Sequence, residues 1–365
     1  MIKKSDIASP PTITDVARLA GFGKMTVSRV INGEGYVRKD TEFRIRTAIE
    51  KLGYRPNEAA RSLKGRRART IGIIVPDLGD NFFATCANAA QLVAAKHGYM
   101  ALVASSGRDE TYEADEIQLM TQRNIAGLII VPTREDWIPL RELASRGVPV
   151  VAFDRPLVGV SADEVTVDNI GGACLGVGHL IAHKHRRIAC IGYDSNVLPI
   201  RDRIRGYERS MRDADLEVIT HAEVESIDGI ETLLRSWNGS RSRPTALFTL
   251  NNVTTINTLL AIQRLGLAVP DSYAIVGFDD LAFAPLLQCP ITAIRQPIAE
   301  MGRNAAAMLF DRLIGHSKNE HSPIKLVLPV ELVVRRSCGC SNTATGEVVL
   351  YGKEILSVRK ARSRS

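Results

Sequence analysis

Two kinds of hydrophobic periodicity divide the chain near residue 70. Before this point apolar residues recur every three or four positions, which is typical of amphipathic helices. After it, short apolar runs alternate with longer segments of helical periodicity. The runs are TIGIIVP, YMALVAS, GLIIV, VPVVAF, RIACIG, TALFTL and YAIVGF. The pattern predicts a small all-α unit followed by a larger α/β unit.

The segment from Thr12 to Asn32, TITDVARLAGFGKMTVSRVIN, has the features of two short helices joined by a tight turn. Thr12 followed three residues later by Asp15 is typical of a capped helix start. The glycines of GFG then break the helical period. The apolar side of the second helix, which would pack on the first, carries Val27, Val30 and Ile31. Its outer side carries Lys24, Met25, Ser28 and Arg29. We therefore predict a helix-turn-helix whose outer face fits a DNA major groove.

Charge is concentrated at the same end of the chain. Residues 1–70 contain 16 Lys and Arg against 7 Asp and Glu, a net charge of +9, whereas the whole chain has a net charge of +7. The rest of the chain is therefore slightly acidic. A basic module joined to a near-neutral body is typical of a protein that contacts phosphates, and it predicts salt-dependent binding.

The headpiece is predicted to span residues 12–55, with a third helix from Asp40 to Leu52 that ends at Gly53. The following EAARSLKG is only about two helical turns long, so it should need a partner in order to fold. We predict a hinge helix and basic linker over residues 56–69, and disordered ends over residues 1–11 and 341–365.

The α/β pattern from residue 70 to residue 340 is too long for one sheet of ordinary width. We predict two doubly wound lobes, with residues 70–166 in the first, 167–297 in the second, and 298–325 returning to the first. Ligands bind such sheets outside the carboxyl ends of the strands. The candidate site residues there are Asp80, Phe82, Phe83, Asp154, Asn251 and Asp279, together with Arg203 near the start of a helix.

On these residues the chain resembles the LacI/GalR family of bacterial transcription regulators. The resemblance implies a periplasmic-binding-protein-like effector domain and a homodimer on a pseudo-palindromic DNA operator. By motif, Lys24, Met25 and Arg29 fall on base-reading positions. Thr26, Ser28 and Asn32 fall on phosphate-contacting positions. Leu63 falls on the residue of the hinge helix that wedges into the minor groove, with Lys64 beside it. The family usually has Val-Ser where this chain has Phe22-Gly23, which implies a weaker helix cap.

The same resemblance implies a small-molecule effector. Asp154, Arg203, Asn251 and Asp279 fall on positions that hold effector hydroxyls, and Phe82 or Phe83 falls near a position that covers the face of the ligand. Carboxylates and an arginine suit polyol hydroxyls, which both donate and accept hydrogen bonds. The expected effector is a sugar or sugar acid, and the Lys24-Met25 pair resembles that of gluconate-type members.

Other motifs contain residue types that are found in metal, phosphate-binding or catalytic sites. His179, His183 and His185 have helical spacing for a metal, but we expect no cysteine or carboxylate to complete the shell, and Cys338-Gly339-Cys340 has no other ligands nearby. The glycines between Gly171 and Gly178 fall inside a helical segment and form no phosphate-binding motif. Asp279-Asp280 has no nucleophile tied to it. We therefore predict no cofactor, no metal and no enzymatic activity.

No apolar run is long enough to span a bilayer and no signal peptide is apparent, so we expect a cytoplasmic protein without membrane association. The alternative to a regulator is a soluble sugar-binding protein of the same fold. A doubly wound enzyme is a third possibility.

Overall fold

The computed structural model describes residues 11–32, 35–54, 69–224, 226–314, 322–340 and 348–349. The chain forms two compact units, residues 1–68 and 69–365, which we call the headpiece and the body. The predicted hinge helix with Leu63 and Lys64 lies outside the described residues, as do the first ten residues and those after 349.

The headpiece contains three helices, α1 (Ile13–Ala20), α2 (Lys24–Asn32) and α3 (Lys39–Leu52). They pack around a small apolar core. Its buried members are Val16, Ala17, Ala20, Val27, Ile45 and Ala48. The predicted inward side of α2 is confirmed, because Val27 is buried and both Val30 and Ile31 pack against this core.

Local chemistry determines where α1 begins and ends. The carboxylate of Asp15 accepts hydrogen bonds from the backbone amide and the hydroxyl of Thr12, at 2.9 and 2.7 Å. Gly21 then takes a left-handed conformation with φ of 76°, which an L side chain rarely adopts. The guanidinium of Arg44 donates to the carbonyl of Ala20 at 3.1 Å, so α3 supports the turn before α2.

The body alternates strands and helices, as the pattern predicts. The strands are β1 (Thr70–Val75), β2 (Met100–Ser105), β3 (Leu128–Ile130), β4 (Val150–Phe153), β5 (Asp163–Val167), β6 (Ile188–Ile191), β7 (Ile219–His221), β8 (Ala246–Thr249), β9 (Ala274–Phe278), β10 (Thr292–Arg295), β11 (Lys325–Leu328), β12 (Glu331–Val333) and β13 (Val348–Val349). The helices are α4 (Asn81–Lys96), α5 (Glu110–Gln122), α6 (Ile138–Ser145), α7 (Asn169–Ala182), α8 (Leu198–Asp213), α9 (Ile227–Trp237), α10 (Asn252–Arg264) and α11 (Ile298–Ile314).

The strands form two sheets, one for each lobe. The first has the order β11-β5-β4-β3-β1-β2 and the second the order β13-β12-β10-β9-β8-β6-β7. The order β5-β4-β3-β1-β2 of the first lobe corresponds to the order β10-β9-β8-β6-β7 of the second, and within each set the strands are parallel. Among the described strands, β12 and β13 run antiparallel to their neighbours. After β10 the chain returns to the first lobe and forms α11 and β11 there. This segment ends at Leu328, not at residue 325 as the sequence predicts.

Glycines allow α7 to lie close to its neighbours. A Cβ on Gly172 would lie 2.9 Å from the ring of Phe278, and one on Gly176 would lie 3.0 Å from the ring of Phe248, both in the second sheet. A Cβ on Gly206 of α8 would meet the backbone carbonyl of Ile170. The glycine-rich stretch is thus a packing surface inside a helix, as its position in the sequence indicates.

One prediction for the tail is wrong. Val348 and Val349 pair with Val333 and Leu332 in an antiparallel ladder, although they lie in the segment that we expected to be disordered. The expectation rested on the basic, polar end of the chain, whereas two β-branched residues next to an open sheet edge favour strand addition. No helix in the described ranges has the length and apolar character needed to cross a membrane.

Candidate DNA interface and effector cavity

The outer face of α2 is exposed and basic. Lys24, Met25 and Arg29 are exposed, and Met25 keeps 74% of its surface accessible although its side chain is apolar. Thr26 and Ser28 are half-buried, and Asn32 is the last residue of α2. A helix with exposed donors near its amino end has the form that reads base edges in the major groove.

A polar cavity of about 460 Å³ lies in the body, within the size range of small-molecule sites. Residues from both lobes line it, and many of them follow the carboxyl ends of strands. Its lining includes every residue that the sequence assigned to the effector: Phe82, Phe83, Asp154, Arg203, Asn251 and Asp279. The structure therefore brings these six side chains together, although they span almost 200 positions of the chain.

Asp154 and Asp279 occupy equivalent places in the two lobes. Asp154 directly follows β4 and Asp279 directly follows β9, and both have positive φ angles, 64° and 76°. The backbone amide of Asp154 donates to the carbonyl oxygen of Val165 in β5, and that of Asp279 donates to the carbonyl oxygen of Ile294 in β10, both at 2.9 Å. Strained backbone at equivalent positions of a cavity indicates functional placement of these carboxylates, because such conformations cost about 1–3 kcal/mol.

Burial dominates the electrostatics of Asp154. Loss of solvent raises the pKa of this carboxyl to about 6, although the guanidinium groups of Arg155 and Arg203 act in the opposite direction. The carboxylates of Asp279 and Asp80 raise the pKa further. The cavity thus holds a carboxyl group that changes charge just below neutral pH.

Arg203 anchors the floor of the cavity on the second lobe. Its side chain is 3% exposed, and it donates to the side-chain oxygen of Asn169 at 2.8 Å and to the carbonyl of Leu250 at 2.7 Å. The guanidinium also lies 3.6 Å from a carboxylate oxygen of Asp279 and 3.7 Å from the ring centroid of Phe278. These contacts hold a planar cation rigidly beside the aspartates.

The first lobe contributes aromatic rings and a capping aspartate. Phe82 and Phe83 lie in the first turn of α4, with ring centroids 5.0 Å apart in an edge-to-face arrangement. The carboxylate of Asp80 caps this helix by accepting from the amide of Phe82 at 2.9 Å. Burial raises the pKa of Asp80, which lies on the same side of the cavity.

Two neighbouring asparagines act differently. Asn251 caps α10, because its side-chain oxygen accepts from the amide of Thr254 at 2.8 Å. Asn252 instead extends to the first lobe, where its side-chain amide donates to Asp80 at 2.8 Å. The backbone amide of Asn252 also donates to Asp279 at 3.2 Å. Asn252 therefore connects the aspartates of both lobes, a role that the sequence analysis did not assign.

Two further hydrogen bonds cross between the lobes at the rim. The guanidinium of Arg108 donates to the hydroxyl of Tyr193 at 2.6 Å, and that of Arg201 donates to the carboxylate of Glu135 at 2.9 Å. Arg108, Glu135 and Tyr193 line the cavity, and Arg201 lies next to its lining residue Ile200 in the chain. Contacts at the mouth thus resist separation of the lobes.

Sequence reasoning also missed Gln296 and Arg155. Gln296 follows β10 and donates its side-chain amide to Asp279, while its side-chain oxygen is buried without a hydrogen-bond partner in the described part of the chain. The Nε atom of Arg155 is buried and makes no hydrogen bond among the described residues, although it lies 3.8 Å from a carboxylate oxygen of Asp154. Both lie in the cavity lining, where a ligand that donates and accepts can satisfy them. Gln296 follows the strand TAIR, whose short apolar content gave no strand prediction.

The residues of the other motifs considered in the sequence make structural contacts, with one exception. Asp280 accepts hydrogen bonds from Arg335 and Arg295, which lower its pKa against the opposing effect of burial, and it is not part of the cavity lining. His185 lies 2.9 Å from the hydroxyl of Thr245. The exception is that Cys340, from a distant segment of the chain, lies beside His179 and His183, so the expectation that no cysteine joins these histidines is wrong.

Comparisons with known proteins identify both units. Residues 12–57 match the model for bacterial regulatory proteins of the lacI family, and residues 177–338 match the model for a periplasmic binding protein-like domain. The chain is 30% identical over 341 residues to the HTH-type transcriptional regulator DegA of Bacillus subtilis, with 91% of this chain and 99% of DegA covered. It is 29% identical over 332 residues to the HTH-type transcriptional repressor PurR of Vibrio vulnificus, covering 89% and 97% of the two chains.

The fold agrees with that of a solved repressor. The lac repressor dimer bound to operator and an anti-inducer aligns with a TM-score of 0.79 and 24% identity, over 90% of this chain and 99% of that one. The matched relatives are transcriptional regulators and not enzymes. The chain belongs to the LacI family of bacterial regulatory proteins, as a DNA-binding transcriptional regulator with a helix-turn-helix headpiece and a two-lobed effector domain.

Proposed function

We propose that this protein is a dimeric repressor in the cytoplasm whose affinity for a pseudo-palindromic operator is controlled by a sugar or sugar acid. The observation that carries the proposal is the shared polar cavity, in which two strained aspartates and a buried arginine converge from different elements. Such a cavity suits a ligand with several hydroxyl groups, because each hydroxyl both donates and accepts.

The headpiece reads the operator through α2. Lys24, Met25 and Arg29 contact base edges, while Thr26, Ser28 and Asn32 contact phosphates. The exposure of the first three residues supports this division. In a dimer the two half-sites are centred about 34–36 Å apart, one turn of the duplex.

The hinge couples the cavity to the DNA. Leu63 wedges between base steps of the minor groove with Lys64 beside it, at a cost of a few kcal/mol that the bent duplex repays. Closure of the lobes around the effector changes the spacing of the two hinges in a dimer. A coupling of about 1–3 kcal/mol suffices for a 5- to 150-fold change in operator affinity.

The hinge has its own test. Leu63→Ala should reduce operator bending in a gel-phasing assay while leaving the affinity for effector unchanged, with Leu92→Ala, an exposed residue of the body, as the control. Unchanged bending would show that Leu63 does not wedge between base steps.

The effector is a polyol, and gluconate is the first sugar acid to examine. Asp154, Asp279 and Gln296 offer acceptors. Arg155, which is ion-paired with Asp154, offers an Nε donor that makes no hydrogen bond among the described residues and suits a hydroxyl or a carboxylate. Pentoses, hexoses, their acids and purines should be screened by thermal shift on the full-length protein. We expect stabilisation by one sugar or sugar acid and by no purine.

The decisive experiment selects genomic fragments with the purified protein, and then repeats binding with the ligand from the screen. We expect preference for a pseudo-palindromic sequence over bulk competitor DNA, and a change of at least about fivefold when ligand is added. Sugar binding without any sequence preference would instead favour the alternative of a sugar-binding protein without a regulatory role.

A further inference from the structure

Four side chains that bind transition metals meet at one end of the second lobe. Cys340 Sγ lies 3.0 Å from His183 Nε2, 3.5 Å from His179 Nε2 and 2.7 Å from Cys338 Sγ. The ligand atoms of His179, Cys338 and Cys340 all lie within 4.8 Å of one another, while His183 contacts Cys340 but lies outside this mutually close set. These residues come from two segments more than 150 positions apart in the sequence.

The backbone holds both segments in place. His179 lies in the last turn of α7 and His183 caps its end, so the two rings stand on one side of the helix with centroids 4.3 Å apart. Gly339, between the cysteines, has a φ of 81°, which turns the chain so that both thiols point to the same place. The preceding Ser337 bonds to Ile275 through its hydroxyl and its carbonyl, at 2.7 Å each.

The ring of His183 is oriented as in a metal site. Its Nδ1 lies 2.9 Å from the carbonyl oxygen of His179. Because a carbonyl only accepts, Nδ1 carries the proton, and Nε2 presents its lone pair toward Cys340. Ligating histidines almost always donate their second ring N–H to a carbonyl or carboxylate in this way.

The sulfur of Cys338 is also supported from outside the cluster. The hydroxyl of Thr292 donates to this sulfur at 3.3 Å, while the oxygen of the same hydroxyl accepts from the amide of Arg335 at 2.8 Å. This contact, and the 3.3 Å approach of the same sulfur to the carbonyl oxygen of Arg335, fix where the sulfur lies, as contacts from outside a cluster do for metal ligands. Cys338 is buried, whereas His183 and Gly339 are exposed, so an ion can reach the cluster from solvent.

We propose that His179, His183, Cys338 and Cys340 form a tetrahedral site for a zinc-class divalent ion that fastens the segment after β12 to the end of α7. Two thiolates and two imidazoles are a ligand set of structural zinc sites. Zinc bonds of about 2.0–2.3 Å place tetrahedral ligands roughly 3.3–3.8 Å apart. The distances from Cys340 to the two imidazoles are near this range. On metal binding the two sulfurs need to separate by about 1 Å, and the His183 ring needs to move closer to the other ligands.

The proposed metal site lies at one end of α7, and the other end of this helix supports the effector cavity. The opposite end of α7 carries Asn169, which accepts the hydrogen bond from Arg203 in the cavity. A metal at the carboxyl end of α7 therefore holds the helix that supports the effector cavity at its amino end. We expect removal of the metal to destabilise the second lobe, since binding energy at such a site contributes to folding energy.

Metal binding is tested on untagged, full-length, reduced protein, first by elemental analysis and then by titration of the metal-free protein with Co²⁺. We expect one ion per chain, intense visible absorption typical of tetrahedral cobalt, and a thiolate-to-cobalt charge-transfer band. Cys340→Ser and His183→Gln should each weaken binding by more than about tenfold, because even changes in the groups that support a ligand cost 10- to 100-fold.

Matched controls come from the same lobe. Cys289→Ser and His221→Gln alter a cysteine and a histidine outside the cluster, and both variants should keep the bands and the stoichiometry. His183→Gln changes an exposed side chain, so it tests the site even if Cys340→Ser fails to fold. Absence of the charge-transfer band in reduced wild-type protein, or bands that persist in both cluster variants, would overturn the site. So would a Cys338–Cys340 disulfide in protein isolated under reducing conditions.

Discussion

The side-chain amide of Asn252 donates a hydrogen bond to the carboxylate of Asp80 across the two lobes, at 2.8 Å. Asp80 caps the first helix of one lobe, and Asn252 begins a helix of the other. The bond therefore joins the amino ends of α4 and α10, and its partners line the effector cavity. We therefore expect this contact to favour the arrangement in which the lobes enclose a ligand.

Asn252→Ala should lower affinity for the effector by about 5- to 20-fold, because it removes a bond to a charged group that is worth roughly 1.5–3 kcal/mol, partly replaced by water. Isothermal titration calorimetry measures the change. Asn238→Ala, which alters an exposed asparagine at the end of α9, serves as the control. Equal affinities of Asn252→Ala and wild type would show that closure does not use this bond.

Effector affinity should fall as the pH drops through about 6, where the pKa of Asp154 lies because of burial. Above that pH the carboxylate accepts hydrogen bonds from ligand hydroxyls, whereas below it the group is protonated and loses acceptor capacity. Dissociation constants measured between pH 5 and 8 test this. Asp154→Asn should bind more weakly and flatten the dependence, while Asp271→Asn, an exposed carboxylate, should retain it. A flat profile for the wild type would contradict an acceptor role.

Arg203→Met should abolish the response to effector, with at least about a 100-fold loss of ligand affinity, but leave operator binding without ligand within about twofold. Breaking a buried ion pair costs about 3–5 kcal/mol, so the unfolding midpoint should also fall. Fluorescence anisotropy of labelled operator and thermal unfolding provide the two readouts. Arg205→Met changes an exposed arginine of the same helix and is the control. A normal ligand response in Arg203→Met would move the binding site elsewhere.

Arg29→Ala should weaken operator binding by about 1–3 kcal/mol and affect random DNA far less, because a base contact discriminates whereas a phosphate contact does not. Competition gel shifts at fixed salt measure both affinities. Arg46→Ala removes an exposed arginine of α3 that pairs locally with Glu42, so it should behave as wild type. Equal losses on operator and random DNA would assign Arg29 to phosphate contact.

Gly206→Ala should destabilise the body by about 1–3 kcal/mol, because the new methyl group would collide with the carbonyl of Ile170 and lie 2.7 Å from the Cβ of Ala173. Gly178→Ala is the matched control, since among the described residues no atom beyond its chain neighbours and the backbone of its own helix lies within 4 Å of its Cβ position. That variant should be more stable by up to about 1 kcal/mol, as expected for alanine in a helix. Urea unfolding measures the free energy of unfolding of both variants. A change of the same sign in both would contradict the packing argument.

The sequence predicts those features that neighbouring residues decide. The cap at Thr12 and Asp15, the turn at Gly21 and the inward side of α2 all depend on residues within one or two helical turns. The alternation of apolar runs and helical segments likewise indicates parallel sheets with both faces covered. Asp154, Asn251 and Asp279 were found because parallel strands carry their carboxyl ends at one edge of the sheet. Arg203, which lies in α8, was assigned through the family resemblance.

Tertiary structure alone decided which distant residues meet. Gln296 was missed because β10 is recognised only once its neighbours β9 and β12 supply its hydrogen bonds. Val348 and Val349 become a strand because β12 offers an edge to them. The histidines at the end of α7 have helical spacing for a metal, but the sequence does not connect them to the cysteines after β12. The two pairs meet only because the second sheet brings the two segments together. Hydrogen-bond ladders between distant strands set these contacts, and no local pattern of residues encodes them.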